Sequence, residues 1–438
     1  MTKQETQDFF DTLSRSFQQK KGKQAFDLLN ALLLKLQNWQ LQEKLQSLEE
    51  TYKTMLRYVM DNIQDPGRET VYANLVRSLY QIADTAIFQI KTANDNSLFY
   101  ERKRAYRFYV QETADELIAA LEDKIGQIAL LSLSEEDDHP RWKDLNFQKE
   151  IIVRKLFYNI WSSDPWTSDE KTRWADLLAS QPDEENLPCL IVTGLTLNLL
   201  EVFDERKVLL LFEAAQSRNE DVRERAFTGI ILFLRKYDYR LPVYPTIIES
   251  LNQWAEDPKR IRKIRHILLQ FILSRETEKI TRKINSELIP ELMKKIGSRD
   301  NRQMKLSDWM ADAGLDEKNP EWQTLIENSG LQDQFRELSE LQMEGADVMH
   351  SSFIHLKNYP FFNEPSNWFI PFDVPGGGIE DKELARLAEV LTSSTLLCNS
   401  DKYSFYLSIS QMPETYRKTM IEQFSTESDA ANEIRQEE

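Results

Sequence analysis

The sequence predicts an all-α protein in which a bundle of long N-terminal helices leads into stacked helix pairs and then a further helical region. Three observations carry that prediction. Only 12 Gly and 15 Pro occur in 438 residues, fewer than tight turns between many strands would need. Apolar residues recur at three- and four-residue steps through most of the chain, the period of one face of an α-helix. A segment near residue 190 returns 35 residues later, a spacing that fits one helix pair.

Residues 1–133 read as a bundle of a few unusually long helices. Between Lys23 and Gln64 there is neither Pro nor Gly, and Leu29, Leu32, Leu33, Leu36, Leu41, Leu45, Leu48, Tyr52, Met55, Leu56 and Val59 form one amphipathic stripe. A single helix is therefore expected there until Asp65-Pro66-Gly67 breaks it. A second run through Leu75, Leu79, Ile82, Ala83, Ala86, Phe88 and Ile90 ends at Asn94-Asp95-Asn96-Ser97, and a third extends from Leu98 to Leu133. Long helices joined by short turns pack antiparallel. The polar stretch from Ser134 to Pro140 reads as a linker, which ends the first domain.

From residue 141 to 297 the helices shorten and the repeat becomes legible. Leu187-Pro188 through Thr193-Gly194-Leu195 aligns with Val222-Arg223 through Thr228-Gly229-Ile230, and a further shift of 39 places Val222-Arg223 on Ile261-Arg262. Each copy follows an amphipathic helix, at Asp169–Ser180, Glu205–Ser217 and Thr246–Glu256. A helix pair cannot bury its apolar side alone, so neighbouring pairs are expected to stack into an α-solenoid. Gly194 and Gly229 each cost about 1 kcal/mol relative to Ala in mid-helix, and close approach of a neighbouring helix backbone is the expected compensation.

The segment Asn219-Glu220-Asp221-Val222-Arg223-Glu224-Arg225-Ala226 resembles the Asp-x-Val-Arg-x-x-Ala turn and helix of HEAT repeats. The resemblance covers two to three units: clear at 205–238, weaker at 246–274, where Arg265 replaces the small residue, and weakest at 169–203, where Pro188 replaces the Arg. The order of long helices, short repeats, a Pro-Phe-Phe…Asn-Trp-Phe-Ile-Pro-Phe-Asp segment and Ser400-Asp401-Lys402-Tyr403 also resembles uncharacterised bacterial proteins, chiefly of Bacteroidota, assigned tetratricopeptide-like (TPR-like) helical repeats. No tetratricopeptide signature is legible in these residues, so such repeats are expected further along a longer chain. The resemblance implies a helical-repeat interaction protein and supplies no catalytic residue.

Residues 298–425 form the expected C-terminal helical region, with helices at Gln303–Ala313, Asn319–Glu344, Ala346–Lys357, Asp381–Leu397 and Pro413–Phe424. Between them, four prolines from Pro360 to Pro375 forbid a helix in the aromatic segment 359–375. Residues 426–438 read as an acidic, flexible tail.

Formal charge is −17, and residues 301–438 hold 25 acidic against 11 basic side chains. Such a region repels phosphate backbones and anionic lipid, which disfavours nucleic acid and membranes as partners. Two cysteines, Cys189 and Cys398, cannot build a disulfide framework, and the opening residues lack the apolar core of a signal peptide. A reducing cytoplasm is the expected compartment. The most apolar stretch, Leu187 to Leu200, is too short to span a bilayer.

Few residues suggest chemistry. His350 and His355 are five apart, whereas a helical zinc pair needs a spacing of four. His139 and His266 are isolated, and no Cys-x-x-Cys occurs. Gly376-Gly377-Gly378 is followed by Ile379-Glu380-Asp381, placing acid where a cradled phosphate would sit. Neither an enzyme nor a cofactor or metal site is expected.

Two surfaces are candidates for a partner. Residues 258–283 carry nine basic and two acidic side chains. On a helix, Ile261, Ile264, Leu268, Phe271 and Ile272 are expected to face the core, leaving Lys259, Arg262, Lys263 and His266 on the other side. That side reads either as a solvated face or as a dock for an anion or an acidic peptide. In segment 359–372, Trp368 and Phe369 are hot-spot candidates if exposed, although an aromatic plug between helices is the plainer reading. The leading expectation is a non-catalytic helical-repeat scaffold for a protein or peptide partner. The alternatives are an anion- or nucleic-acid-binding helical repeat using the basic patch, and an enzyme of unrecognised type.

Overall fold

The computed structural model describes residues 1–110, 112–133, 139–180, 186–283, 356, 359–373, 382–394, 397–412, 417–418 and 421. Among the described residues every regular element is helical, as composition and period predict, and no helix is long and apolar enough to cross a membrane. They form two compact units, Met1–Asp257 and Pro258–Glu438.

In the first unit, α1 (Lys3–Gln18), α2 (Gly22–Leu36), α3 (Trp39–Met60) and α4 (Arg68–Asn94) pack around Leu13, Leu29, Leu33, Leu45, Leu79 and Ala83. The single helix expected from Lys23 to Gln64 is two. Gln37 takes a left-handed conformation at φ 53°, and the Asn38 side chain caps α3 by accepting a hydrogen bond from the Leu41 amide. Asn38 ends one ladder and starts the next without disturbing the apolar stripe, because the period resumes after the kink. The run from Leu98 to Leu133 is likewise divided, into α5 (Leu98–Tyr109) and α6 (Ala114–Ser132). A capping box starts α6: Thr113 Oγ1 accepts from the Glu116 amide while the Glu116 carboxylate accepts from the Thr113 amide.

The helices then alternate in their packing. α7 (His139–Trp161) lies against α6 and α9 (Asn186–Leu199), and α9 against α11 (Glu220–Tyr237). On the other side, α10 (Glu205–Ala214) contacts both α8 (Ser168–Ser180) and α12 (Pro245–Ala255). Asp204 and Asn219 cap α10 and α11 through their side chains. The two mid-helix glycines sit at close approaches. A Cβ on Gly194 would lie 3.2 Å from Ile160 Cγ2 and 3.4 Å from the Phe157 carbonyl oxygen, whereas one on Gly229 would collide with the Thr196 side chain. The neighbour is therefore backbone in part at Gly194 and side chain at Gly229.

Between α11 and α12 a 3-10 turn, Asp238–Val243, returns the chain to the N-terminal helices: Tyr239 and Val243 join the core built by α1 to α4. Arg77 of α4 clamps that return by donating from Nη2 and Nε to the Val243 carbonyl, at 2.6 and 3.0 Å.

In the second unit, α13 (Pro258–Lys283) opens the chain segment, and 3-10 turns at Pro360–Asn363 and Pro365–Trp368 pack with α14 (Lys382–Ser393) and α15 (Asn399–Ser410). The period of α13 marks a helix correctly but does not bury its apolar side. Of the five residues expected to face the core, Ile261, Leu268, Phe271 and Ile272 are exposed and Ile264 is half-buried. Period reports local structure; burial needs a second element laid along it. α15 was not anticipated: its aromatic residues surround the helix instead of forming a stripe, and no single face advertises it.

Candidate functional site

Of the residues singled out on the basic patch, Lys259, Arg262 and His266 are exposed and Lys263 is half-buried on α13. Side chains from 275 to 283 lie outside the described residues, as do His350, His355, the Gly376 loop and the His139 side chain. Trp368 is half-buried, donates from Nε1 to the Phe362 carbonyl at 2.8 Å, and packs edge-on against the Phe362 ring. Phe369 is half-buried beside it, and Phe362 and Phe372 join Leu387, Leu391 and Tyr403 in a small core. The aromatic segment therefore packs as a plug, and its largest side chain is turned inward. Cys189 is buried and Cys398 exposed. Although Cys398 is exposed as a residue, desolvation of its Sγ by the surrounding chain, with Asp401 beside it, pushes the thiol up, away from a reactive thiolate. Among the described residues no three His, Cys, Asp or Glu side chains group as metal ligands.

The densest chemistry lies in the first unit, where the turn after α11 meets α1 and α4. Arg240 is 1 % exposed and holds Asp84 of α4 through two parallel bonds, Nη1 to Oδ2 at 2.7 Å and Nη2 to Oδ1 at 3.1 Å. Its guanidinium carbon lies 4.5 to 5.1 Å from the ring centroids of Phe10, Tyr80, Phe203, Tyr237 and Tyr239. Rings present their negative faces to a cation, so this cage replaces part of the lost hydration. Burial works against the charge and is the largest single influence, but the Asp84 carboxylate together with Tyr239 and Tyr244 outweighs it and holds the guanidinium well above its ordinary range. Nη2 also donates to the Tyr239 hydroxyl at 2.8 Å, and only Nε is left without a partner.

Beside this pair opens a cavity of about 310 Å³, lined from α1, α4, α5, the turn between α9 and α10, and the end of α11. Three lysines reach it: Lys3 from α1, Lys91 from α4 and Lys236 from α11. Its carboxylates are Glu201 and Asp84, and the second is already engaged by Arg240. Lys91 is 6 % exposed, yet no carboxylate among the described residues is within ion-pair range; its Nζ lies 5.9 Å from the Tyr100 ring centroid. Lys236 donates to the Leu200 carbonyl. Burial pushes the Lys236 ammonium down to about 8; Glu201 opposes the fall, while Lys91, Lys3 and Arg240 add to it. Phe10, Phe88, Tyr100 and Tyr237 supply apolar wall.

A third buried cation, Lys207 at the start of α10, is 0 % exposed and fully partnered. Its Nζ donates to Asn198 Oδ1 at 2.7 Å and to the Asp164 carbonyl at 2.9 Å, with Asp204 Oδ2 3.7 Å away. Asn198 in turn donates to the carbonyls of Trp161 and Ser163. Lys103 of α5 joins from the other side, donating to the Ser162 carbonyl and to Asp164. The network ties α5, α9 and α10 to the loop after α7.

At the far end of the α3–α4 hairpin the α3 stripe continues past the body. Leu45 is buried and Leu48, Tyr52 and Met55 are half-buried, but Leu56, Tyr58, Val59, Met60, Ile63 and Val71 are exposed, Met60 by 81 %.

Sequence reasoning passed over Asp84, Lys91, Lys207, Lys236 and Arg240. A signal existed for the first two: Asp84 is four residues from both Tyr80 and Phe88, and Lys91 four from Ile87, so both interrupt the apolar face of α4. Arg240 had none, because its turn is irregular and its partner is 156 residues away. No protein-family model, curated protein or solved structure matches the chain significantly.

Proposed function

We propose that the chain is a non-catalytic helical binding protein, working in the cytoplasm, whose paired helices α8 to α12 stack in the manner of a HEAT-like solenoid and whose α3–α4 tip engages a protein partner. One observation carries the reading: Leu56, Val59 and Met60 extend the partly buried stripe of α3 into solvent, and Ile63 in the turn after it is exposed as well. A contiguous apolar patch on an otherwise charged surface is a recurrent mark of an interaction site. The occupant that suits it is an amphipathic helix of the partner, because the same stripe, one turn earlier, already accepts helices α2 and α4. The flanks offer both charge signs, Lys53, Arg57 and Arg68 against Asp61, Asp65 and Glu69, so they set register more than strength. Trp368 is left out of this surface because it packs against Phe362 and the small core, and Phe369 is half-buried beside it.

The test is a double substitution, Val59→Asp with Met60→Asp, at positions whose exposure leaves the fold intact. A partner held by the wild type at 1:1 stoichiometry and released at least tenfold faster by the variant, with the two unfolding midpoints equal, supports the reading. Equal retention by both proteins overturns it. Wild-type dimers that become monomers in the variant, read by sedimentation, also overturn it, because the patch then serves a second copy of the chain.

A further inference from the structure

We infer that the cavity lined by Lys3, Lys91 and Lys236 binds a small phosphomonoester, an inference independent of the partner proposed for the hairpin tip. Counting Arg240, whose ion pair forms part of the wall, four cations face two carboxylates, and the Arg240–Asp84 pair cancels internally. Lys3, Lys91 and Lys236 then stand against Glu201 alone, a surplus of two positive charges in a chain whose net charge is −17. A cation drawn out of water must be paired or hydrogen-bonded to offset its lost hydration. Lys207 and Arg240 show how this fold does so when the purpose is internal: each has its acceptors in place. Lys91 does not: it is 6 % exposed, and its Nζ opens onto the cavity rather than onto an acceptor of the chain.

The missing component is an anion, and the surplus indicates its valence. A phosphomonoester carries about −1.5 to −2 at neutral pH and presents three acceptor oxygens. Three ammonium groups from three helices match that number, and lysine binds phosphate as a point charge without imposing a bidentate geometry. The remaining wall describes the rest of the ligand. Phe10, Phe88, Tyr100 and Tyr237 offer ring faces and edges, and Glu201 offers an acceptor for a hydroxyl or amine on the same molecule. A volume of about 310 Å³ is at the small end for organic ligands. It accommodates a phosphate on a single ring or a short chain, and not a dinucleotide.

Calorimetric titration of the full chain at pH 7 tests this with three probes: phenyl phosphate, inorganic phosphate and benzoate. Phenyl phosphate is expected to saturate one site per chain, at least tenfold more tightly than benzoate and more tightly than inorganic phosphate. K91M and K236M, which keep the aliphatic stems, should each weaken it at least tenfold. Because either variant could perturb folding, a second measurement uses the wild type alone. Phenyl phosphate should protect Lys91 and Lys236, but not the exposed Lys53, from acetic anhydride, read peptide by peptide by mass spectrometry. Benzoate binding as tightly as phenyl phosphate overturns the phosphate assignment. So does the absence of saturation by phenyl phosphate at millimolar concentration, and binding without protection of Lys91 and Lys236 places the ligand elsewhere and overturns the site.

Discussion

Arg240 and the lysine cavity share one wall and nearly the same ingredients, yet they have opposite characters. In the first, a guanidinium, a carboxylate and five rings close on one another with two short hydrogen bonds. In the second, three ammonium groups, six rings and one carboxylate outside any ion pair among the described residues stand around open space. The difference shows what a buried cation is for. Where every donor but one is answered from within the chain, the charge fixes how distant segments meet: here, the return after α11 against α4. Where the donors are only partly answered, as for Lys91 and for Lys236 with its one carbonyl, the charge is available to something that is not part of the chain.

The strongest way to break the comparison is to remove Arg240. Arg240→Met should destabilise the protein by about 3–5 kcal/mol, because it leaves the Asp84 carboxylate buried without its partner. The urea midpoint reads the loss. Adding Asp84→Leu should recover most of it, since replacing a buried ion pair by apolar groups of similar volume is often close to neutral. A single variant that loses less than about 1 kcal/mol would mean that water reaches Asp84 and that the pair is not a closed lock.

Lys207 comes next. It resembles Arg240 in burial and satisfaction, but its acceptors are a carbonyl, an amide oxygen and a carboxylate that also caps α10. Lys207→Met should cost about 1–3 kcal/mol, the usual penalty for stranding buried acceptors. The same denaturation experiment places it below Arg240→Met. A larger loss than Arg240→Met would reverse the ranking and make the loop after α7, not the turn after α11, the critical junction.

How much of this was legible in the sequence follows from the range of each interaction. The helices were legible because a 3.6-residue period is written locally, and α8, α9, α10 and α12 start and end within a few residues of their expected places. The break at Gln37–Asn38 was missed because the apolar stripe runs through it, and the one before Ala114 because neither Pro nor Gly marks it. Thr113 and Glu116 did spell a capping box, and Asn38 was a competent cap. The charge run of α13 was legible as a run, whereas the cavity was not, because it draws on residues from Lys3 to Tyr239. Only Asp84 and Lys91, as charges on the buried face of α4, hinted that something polar had to be met there.

The smallest effect sharpens the comparison most, since it asks whether Lys236 behaves as a cation without an internal answer. Its folded pKa lies near 8 against an ordinary value of 10.5. Between those values the unfolded chain binds more protons at this site than the folded one, so stability rises with pH. Below pH 8 the cost of the buried charge is fully present; from pH 8 towards 10 it is relieved. The groups that face it are Glu201, Lys91, Lys3, Arg240 and the Tyr237 ring. Lys207, also pushed down to about 8, adds a rise of its own, but it is common to wild type and Lys236→Met and cancels in their difference. The buried tyrosines, with Tyr239 pushed up to about 12, hold their protons longer folded than unfolded and lower stability above pH 10, which closes the window. Between pH 8 and 10 wild-type stability should therefore gain on that of Lys236→Met, by up to about 1 kcal/mol per pH unit. Saturating phenyl phosphate should flatten that gain, because a bound dianion keeps the ammonium charged. Parallel curves for the two proteins without ligand would mean that Lys236 is already answered by Glu201 and the Leu200 carbonyl, and the cavity would then be a second closed lock rather than an open one.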